Sequence, residues 1–280
     1  MRQGLFWAGS SDSFTITALA ILAYFLAAVV HEGAGHGGAC ALLGGRLLSV
    51  SSVYCDCDYR SISRRRQRAI EAAGTAANVA LGICCAMAIA LFGSLSPTWR
   101  YFFWLCAIIN LFQAGGYLLV SPFGRFGDWK NFLDGINAQL VWKVALTAAG
   151  LLISVATLQF GCNQLGYFLT QEDPLRSRQA WLLTVLPFGV GAVVSCSIAL
   201  LNPVDKLLVL TSAGAATLGG TSWLLWIGYL APSIAPRTMA RPIALVSSPI
   251  AIALALIALA VWVFVLGPGT FNRPSRLPYS

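Results

Sequence analysis

Charged residues are scarce in this sequence. Asp, Glu, Lys and Arg together make up 10% of its 280 residues, whereas hydrophobic residues make up 58%. So little charge excludes one water-soluble core, because the polar side chains are too few to cover the apolar surface. The mean hydropathy of +0.74 points the same way. We therefore predict a protein that lipid surrounds.

A module for binding nucleic acid is also missing. The net charge is +8, but the 18 Lys and Arg are spread between apolar runs. No aromatic-interleaved soluble region carries them, so we predict no nucleic-acid partner. A disulfide framework is not expected either, because five of the eight cysteines lie in apolar runs, where cysteine behaves as a small hydrophobic residue. These five are Cys40, Cys84, Cys85, Cys106 and Cys196.

Long apolar runs are what the sequence does contain. Runs of about 20 residues, enough to cross a bilayer as a helix, recur along the chain. They predict an all-α polytopic membrane protein with about seven transmembrane helices, within a range of six to eight. The chain 1–280 then forms a single membrane domain, with an exposed tail at 267–280. The predicted spans are 14–43, 69–95, 101–120, 141–160, 181–201, 207–230 and 243–265.

The loop 44–68 is rich in arginine. Basic residues favour the cytoplasmic side, so this loop is predicted to be cytoplasmic and the amino terminus to lie outside, in a bacterial inner membrane. Within the loop, Arg64, Arg65 and Arg66 are expected to contact anionic lipid headgroups. The segment Cys55-Asp56-Cys57-Asp58 supplies at most half of a zinc site.

A polar cluster, His31-Glu32-Gly33-Ala34-Gly35-His36, interrupts the first predicted span. Titratable groups within a span cost about 3 kcal/mol or more each, so their presence requires a reason. Zinc is one, because histidine is a common zinc ligand and a neighbouring glutamate can act as the general base. The other interpretation is hydrogen bonding to neighbouring helices without a metal ion.

The two histidines are five residues apart, whereas a helical zinc motif has them four apart. On a regular helix, a spacing of five separates their directions by about 140°. A π-bulge would return His31 and His36 to one face. Alternatively, Glu32 and His36 are four apart and could both be ligands on a regular helix.

A zinc site requires a third protein ligand, and Asp128 is the best candidate. It follows the third predicted span, and the alternation of loops places it on the same side of the membrane as His36. Asp134 is a weaker candidate. An ordinary role for Asp128 would be a helix cap.

The sequence resembles the site-2 protease family of intramembrane zinc metallopeptidases, mainly over residues 30–130. His31-Glu32 followed by Gly35-His36-Gly37 is similar to the family's zinc helix. Ala73-Gly74-Thr75-Ala76-Ala77-Asn78 is similar to its Gly-Pro-x-x-Asn segment, and Asn110-Leu111 and Gly127-Asp128 are similar to its later elements.

The resemblance implies zinc ligands at His31, His36 and Asp128, with Glu32 as the catalytic base. It also implies that Asn78 and Asn110 hold a substrate strand. The expected activity is hydrolysis of a peptide bond in a membrane protein that crosses the bilayer once. The alternative function is an inactive subunit of a larger membrane complex, with other subunits as partners.

Overall fold

Seven long apolar helices form the protein in the computed structural model, which describes residues 11–124, 127–237 and 243–270. This confirms the predicted all-α polytopic fold. The amino terminus and the part of the predicted tail at 271–280 lie outside the described residues. The spanning helices are α1 (Ser13–Leu42), α2 (Arg64–Leu91), α3 (Pro97–Val120), α5 (Gln139–Phe168), α6 (Asp173–Ala199), α7 (Lys206–Ile234) and α8 (Pro249–Leu266). Between α3 and α5 lies a short helix, α4 (Asp128–Leu133).

The connection between the fourth and fifth spans is shorter than predicted. Helix α5 continues to Phe168 and α6 begins at Asp173, so most of residues 162–179, which were predicted to form a loop between the two spans, are helical. A buried guanidinium explains the difference, because Arg176 donates to the carbonyl oxygens of Thr170, Pro232 and Ala235. The guanidinium of Arg176 is thus buried near the start of α6, although the neighbouring Asp173 is exposed.

Helix α3 is the centre of the bundle. It packs against α1, α2 and α5, and it contacts the middle of α7. Two buried donors on α3 are satisfied by carbonyl oxygens of its neighbours: Tyr101 Oη donates to Leu183 O, and Trp104 Nε1 donates to Gly161 O. Buried donors with partners suit a helix enclosed at membrane depth, where water cannot satisfy them.

A β-hairpin, which the sequence pattern does not predict, connects α1 to α2. Its strands are β1 (Arg46–Val50) and β2 (Cys55–Asp58), paired antiparallel with Val50 opposite Cys55. Thr270 and the end of α8 are hydrogen-bonded to this hairpin, because Thr270 N donates to Val50 O and Ser52 N donates to Leu266 O. The hairpin therefore ties the first span to the last.

A disulfide bond joins Cys40, near the end of α1, to Cys57 of β2. The prediction that Cys40 is a free hydrophobic thiol was therefore wrong, because the hairpin folds back onto the end of α1 and brings Cys57 to it. Cys57 is likewise not free to bind a metal in the Cys55–Asp58 segment. Disulfides persist in oxidising compartments, so this bond favours the side of the membrane opposite to the one that the arginines predict.

The arginines at the start of α2 bind the protein itself. Arg64 and Arg68 both donate to Asp134 O, just beyond the end of α4, and Arg64 also donates to Asn131 O. Arg66 donates to Leu43 O, at the end of α1. Cations suit these carbonyl ends because they oppose the helix dipoles. Contact with lipid headgroups stays a prediction.

Candidate metal centre

A π-helical stretch, Val29–Gly37, carries both histidines within α1. The wider turn brings residues five apart onto one face. His31 Nε2 and His36 Nε2 are consequently 3.3 Å apart. The structure thus confirms the π-bulge. Because this stretch is not a regular helix, the alternative in which Glu32 and His36 share one face as a pair of ligands does not apply.

Asp128 completes a triad with the two histidines. Its Oδ2 lies 3.2 Å from His31 Nε2 and 3.2 Å from His36 Nε2. Asp128 is the first residue of α4, and Gly127 before it has a φ of +97°, a left-handed conformation that favours glycine. This turn directs the carboxylate towards α1, so Asp128 is more than a helix cap.

The second nitrogen of each imidazole contacts an oxygen. His31 Nδ1 lies 3.2 Å from Asn78 Oδ1, and His36 Nδ1 lies 2.8 Å from Ile70 O. Asn78 Nδ2 donates to Gln113 Oε1, which leaves Asn78 Oδ1 as the acceptor. Each Nδ1 therefore carries the proton, and each Nε2 presents a lone pair, as in histidine that binds a metal.

Two imidazole lone pairs and a carboxylate oxygen thus converge on one point. Three acceptors at such distances repel one another unless a cation or a proton lies between them. Zinc binds nitrogen and oxygen at about 2.0–2.1 Å with tetrahedral geometry, so two of its ligands are about 3.3 Å apart. The observed separations of 3.2, 3.2 and 3.3 Å match that spacing. The triad fits a metal ion of this size.

Charge at the triad also favours a cation. The Asp128 carboxylate supplies a negative charge at the point where the two imidazole nitrogens meet. Its charge and the two lone pairs form a ligand set of two nitrogens and one oxygen, which suits zinc.

Helices α1 and α2 approach each other closely at the triad. A Cβ added to Gly35 would lie 2.7 Å from Gly74 Cα, and a Cβ added to Gly74 would lie 2.4 Å from His36 Nε2. Either contact is far shorter than real Cβ contacts. The two glycines therefore create the space in which the imidazoles meet. Their role was not predicted, although both lie in segments that the sequence interpretation singled out.

Glu32 lies beside the triad without being part of it. Its carboxylate interacts electrostatically with His31, His36 and Asp128. It is 8% exposed, and with His31 it lines a cavity of about 50 Å³ between α1, α3, α6, α7, α8 and the hairpin turn. The Glu32 carboxylate therefore lies close to the triad and borders this cavity.

Two predicted substrate-binding residues occupy different places. Asn78 contacts His31 and is fully buried, so it orients the His31 imidazole. Asn110 is also fully buried, but its Nδ2 donates to Cys106 O within α3, away from the triad. The α3 residues at the site are Gln113, which holds Asn78, and Tyr117, whose ring centre lies 5.2 Å from that of His31. Both lie on the face of α3 one and two turns beyond Asn110, and no motif marked them.

In comparisons with family models, curated proteins and solved structures, nothing matches the chain. The resemblance to site-2 proteases therefore stays a prediction that rests on the motifs. The geometry of the triad is independent of it.

Proposed function

We propose that this protein is a membrane-embedded zinc metallopeptidase that hydrolyses a peptide bond of a membrane-spanning substrate. The observation that carries the proposal is the triad of His31, His36 and Asp128, with mutual distances that fit zinc, beside the buried carboxylate of Glu32. Three protein ligands leave a tetrahedral ion one open position, which is typical of catalytic rather than structural zinc.

Zinc held by these residues would lower the pKa of a bound water towards 7 and polarise a substrate carbonyl. The chain's own contribution is to orient the ligands and to move a proton. Asn78 and the Ile70 carbonyl fix the two imidazoles by their Nδ1 atoms. Glu32 then acts as the general base, which accepts the proton of the attacking water and passes it to the leaving amine.

The location of the triad supports a membrane protein as the substrate. His31, Glu32 and His36 belong to a spanning helix and are each less than a tenth exposed. A peptide bond reaches them only by entering the bundle in an extended form, because the hydrogen bonds of a helix shield its carbonyl carbons. A protein that crosses the membrane once can supply such a segment without unfolding a larger bundle.

Metal analysis of the purified protein tests the triad. We expect one zinc per chain in the wild type, and less than about a tenth of that in His36→Ala, because two remaining ligands hold zinc poorly. Asn110→Ala is the matched control, since it removes a fully buried polar side chain that has no contact with the triad. Stoichiometric zinc in His36→Ala would refute the ligand assignment.

Co-expression with tagged single-span reporter proteins tests the reaction. We expect cleavage of at least one reporter by the wild type and none by Glu32→Gln, which should keep its zinc. Cleavage by Glu32→Gln at the wild-type rate would remove the proposed base. Stoichiometric partner subunits together with no zinc would favour the inactive subunit of a membrane complex instead.

A further inference from the structure

Tyr117 of α3 packs directly against the triad. Its ring centre lies 5.2 Å from that of His31, and the two ring planes are inclined by 47°. Its phenolic oxygen interacts electrostatically with the carboxylates of Asp128 and Glu32. This oxygen therefore lies close to both the triad and the proposed base.

The hydroxyl of Tyr117 is free to bind another group. Among the described residues it makes no hydrogen bond, and it is not sealed from its surroundings. Tyr117 is partly exposed and lines the cavity together with His31 and Glu32. A tyrosine hydroxyl inside a protein usually has a partner, so an unpaired one beside the triad points to a group that the substrate supplies.

Tyr24 is the other tyrosine that lines this cavity, and its proton is already engaged. Tyr24 Oη lies 2.6 Å from Thr221 Oγ1, and Thr221 Oγ1 donates to Thr217 O. Because Thr221 uses its own proton for that carbonyl, Tyr24 is the donor of the pair. Of the two phenols that line the cavity in the described part of the chain, only that of Tyr117 has a proton available to a ligand.

We propose that Tyr117 is a further catalytic residue, whose hydroxyl donates a hydrogen bond to the carbonyl oxygen of the scissile peptide bond while negative charge develops on it. This inference rests on the proposed function. When the oxygen of water bonds to the carbonyl carbon, the π electron pair moves to the carbonyl oxygen and Glu32 accepts the water proton. The pair returns when the C–N bond breaks and Glu32 protonates the amine. Tyr117 keeps its proton throughout and stabilises the charged oxygen.

Helix α3 holds this donor in place relative to the triad. Gln113, one turn before Tyr117, accepts a hydrogen bond from Asn78, and Asn78 Oδ1 contacts His31 Nδ1. The ring of Tyr117 packs on the same imidazole. The donor and the triad are thus positioned by one helix before a substrate binds, and such preorganisation is what makes a donor effective in catalysis.

Binding of two inhibitors to the purified, zinc-loaded protein tests the donor without requiring cleavage. One probe is acetyl-tetra-alanine amide with a phosphonamidate in place of the central peptide bond, which presents charged oxygens where the carbonyl oxygen becomes negative. The other probe, mercaptoacetyl-dialanine amide, binds zinc through sulfur and lacks those oxygens. For Tyr117→Phe we expect phosphonamidate binding to be about 10- to 100-fold weaker, with thiol binding and zinc content unchanged, because only the hydroxyl is removed.

Tyr24→Phe is the matched control, because it removes the other phenolic oxygen at the cavity, whose proton already has a partner. We expect the ratio of phosphonamidate to thiol affinity to be the same in this variant as in the wild type. The role of Tyr117 would be overturned by wild-type phosphonamidate affinity in Tyr117→Phe, by an equal loss for both probes, by loss of zinc from Tyr117→Phe, or by no phosphonamidate binding to the wild type.

Cleavage of the reporter proteins separates the two proposals. A kcat about 100-fold lower in Tyr117→Phe with an unchanged KM would support both. Zinc- and Glu32-dependent cleavage by Tyr117→Phe at the wild-type kcat would overturn the role of Tyr117 and leave the peptidase standing. Phosphonamidate binding that depends on Tyr117, with no cleavage of any reporter, would support the hydrogen bond and remove the peptidase.

Discussion

A single methyl group at Gly74 should abolish metal binding. Gly74 lies on the face of α2 that meets the two histidines, and a Cβ there would lie 2.4 Å from His36 Nε2 and 2.7 Å from His31 Nε2. Both atoms are the proposed zinc ligands themselves. Gly74→Ala therefore tests the geometry of the triad without changing any ligand.

The required displacement can be read from the structure. An ordinary van der Waals contact begins at 3.4 Å, so His36 Nε2 would have to move by about 1 Å. Zinc–ligand distances tolerate only about 0.2 Å. The imidazoles cannot simply rotate, because Asn78 and the Ile70 carbonyl hold their Nδ1 atoms. Since the loss of an orienting partner alone costs about 10- to 100-fold in metal affinity, we expect a loss of at least about 100-fold here.

The assay is zinc affinity by competition with a chelator, together with the zinc content of the purified protein. Gly33→Ala is the control, because it makes the same chemical change in the π-helical stretch at a place where a Cβ meets nothing within 4 Å. Alanine is about 1 kcal/mol better than glycine inside a helix, so α2 itself should not unfold. Wild-type zinc affinity in Gly74→Ala would show that the histidines do not meet beside Gly74, and the metal centre described above would be incorrect.

Three further predictions concern neighbouring residues. Asn78→Ala should lower zinc affinity about 10- to 100-fold, whereas Asn110→Ala should leave it unchanged; equal effects would contradict the separation of their roles. When free thiols are blocked in intact cells before lysis, Cys40 and Cys57 should still be joined by their disulfide, which mass spectrometry detects as one linked peptide. If both thiols are alkylated instead, the result would support the cytoplasmic location of the loop that the arginines predict. Burial raises the pKa of Cys55 to about 12, with a further contribution from the nearby Glu32. At pH 8 the alkylation of Cys55 by iodoacetamide should therefore be about a thousandfold slower than that of an ordinary thiol, and its rate should increase with pH. An alkylation rate that does not change above pH 9 would contradict the raised pKa.

The helices could be predicted because each apolar run carries its own signal. A run of about 20 residues indicates a span wherever it lies, without reference to the rest of the chain. The loop between the fourth and fifth spans was predicted wrongly because, in this case, the structure depends on contacts with other parts of the chain. Arg176 makes the sequence look like a loop, and only the carbonyl oxygens supplied by α7 and the preceding turn allow it to be buried.

The residues of the triad could be predicted for a similar reason. His31, Glu32 and His36 stand out by their cost in a span, and Asp128 lies at the same end of the bundle. The orienting residues could not be predicted, because the contact between His31 and Asn78 depends on which faces of α1 and α2 meet. The hairpin was missed because its strands of five and four residues are too short to show a clear alternation of apolar and polar residues.

The π-helical stretch affects how the number of residues between the two histidines can change during evolution. It absorbs one extra residue between two histidines while their Nε2 atoms still converge on one point, so the gain or loss of a single codon here need not destroy the triad. The surrounding bundle limits that freedom: Tyr24 contacts the neighbouring helices upstream, and Cys40 is tied to the hairpin downstream. A deletion would therefore rotate one half of the span against a fixed neighbour. Lineages with four-residue and five-residue spacing should consequently differ in compensating changes along α1, and a motif of fixed length would recognise only one of them.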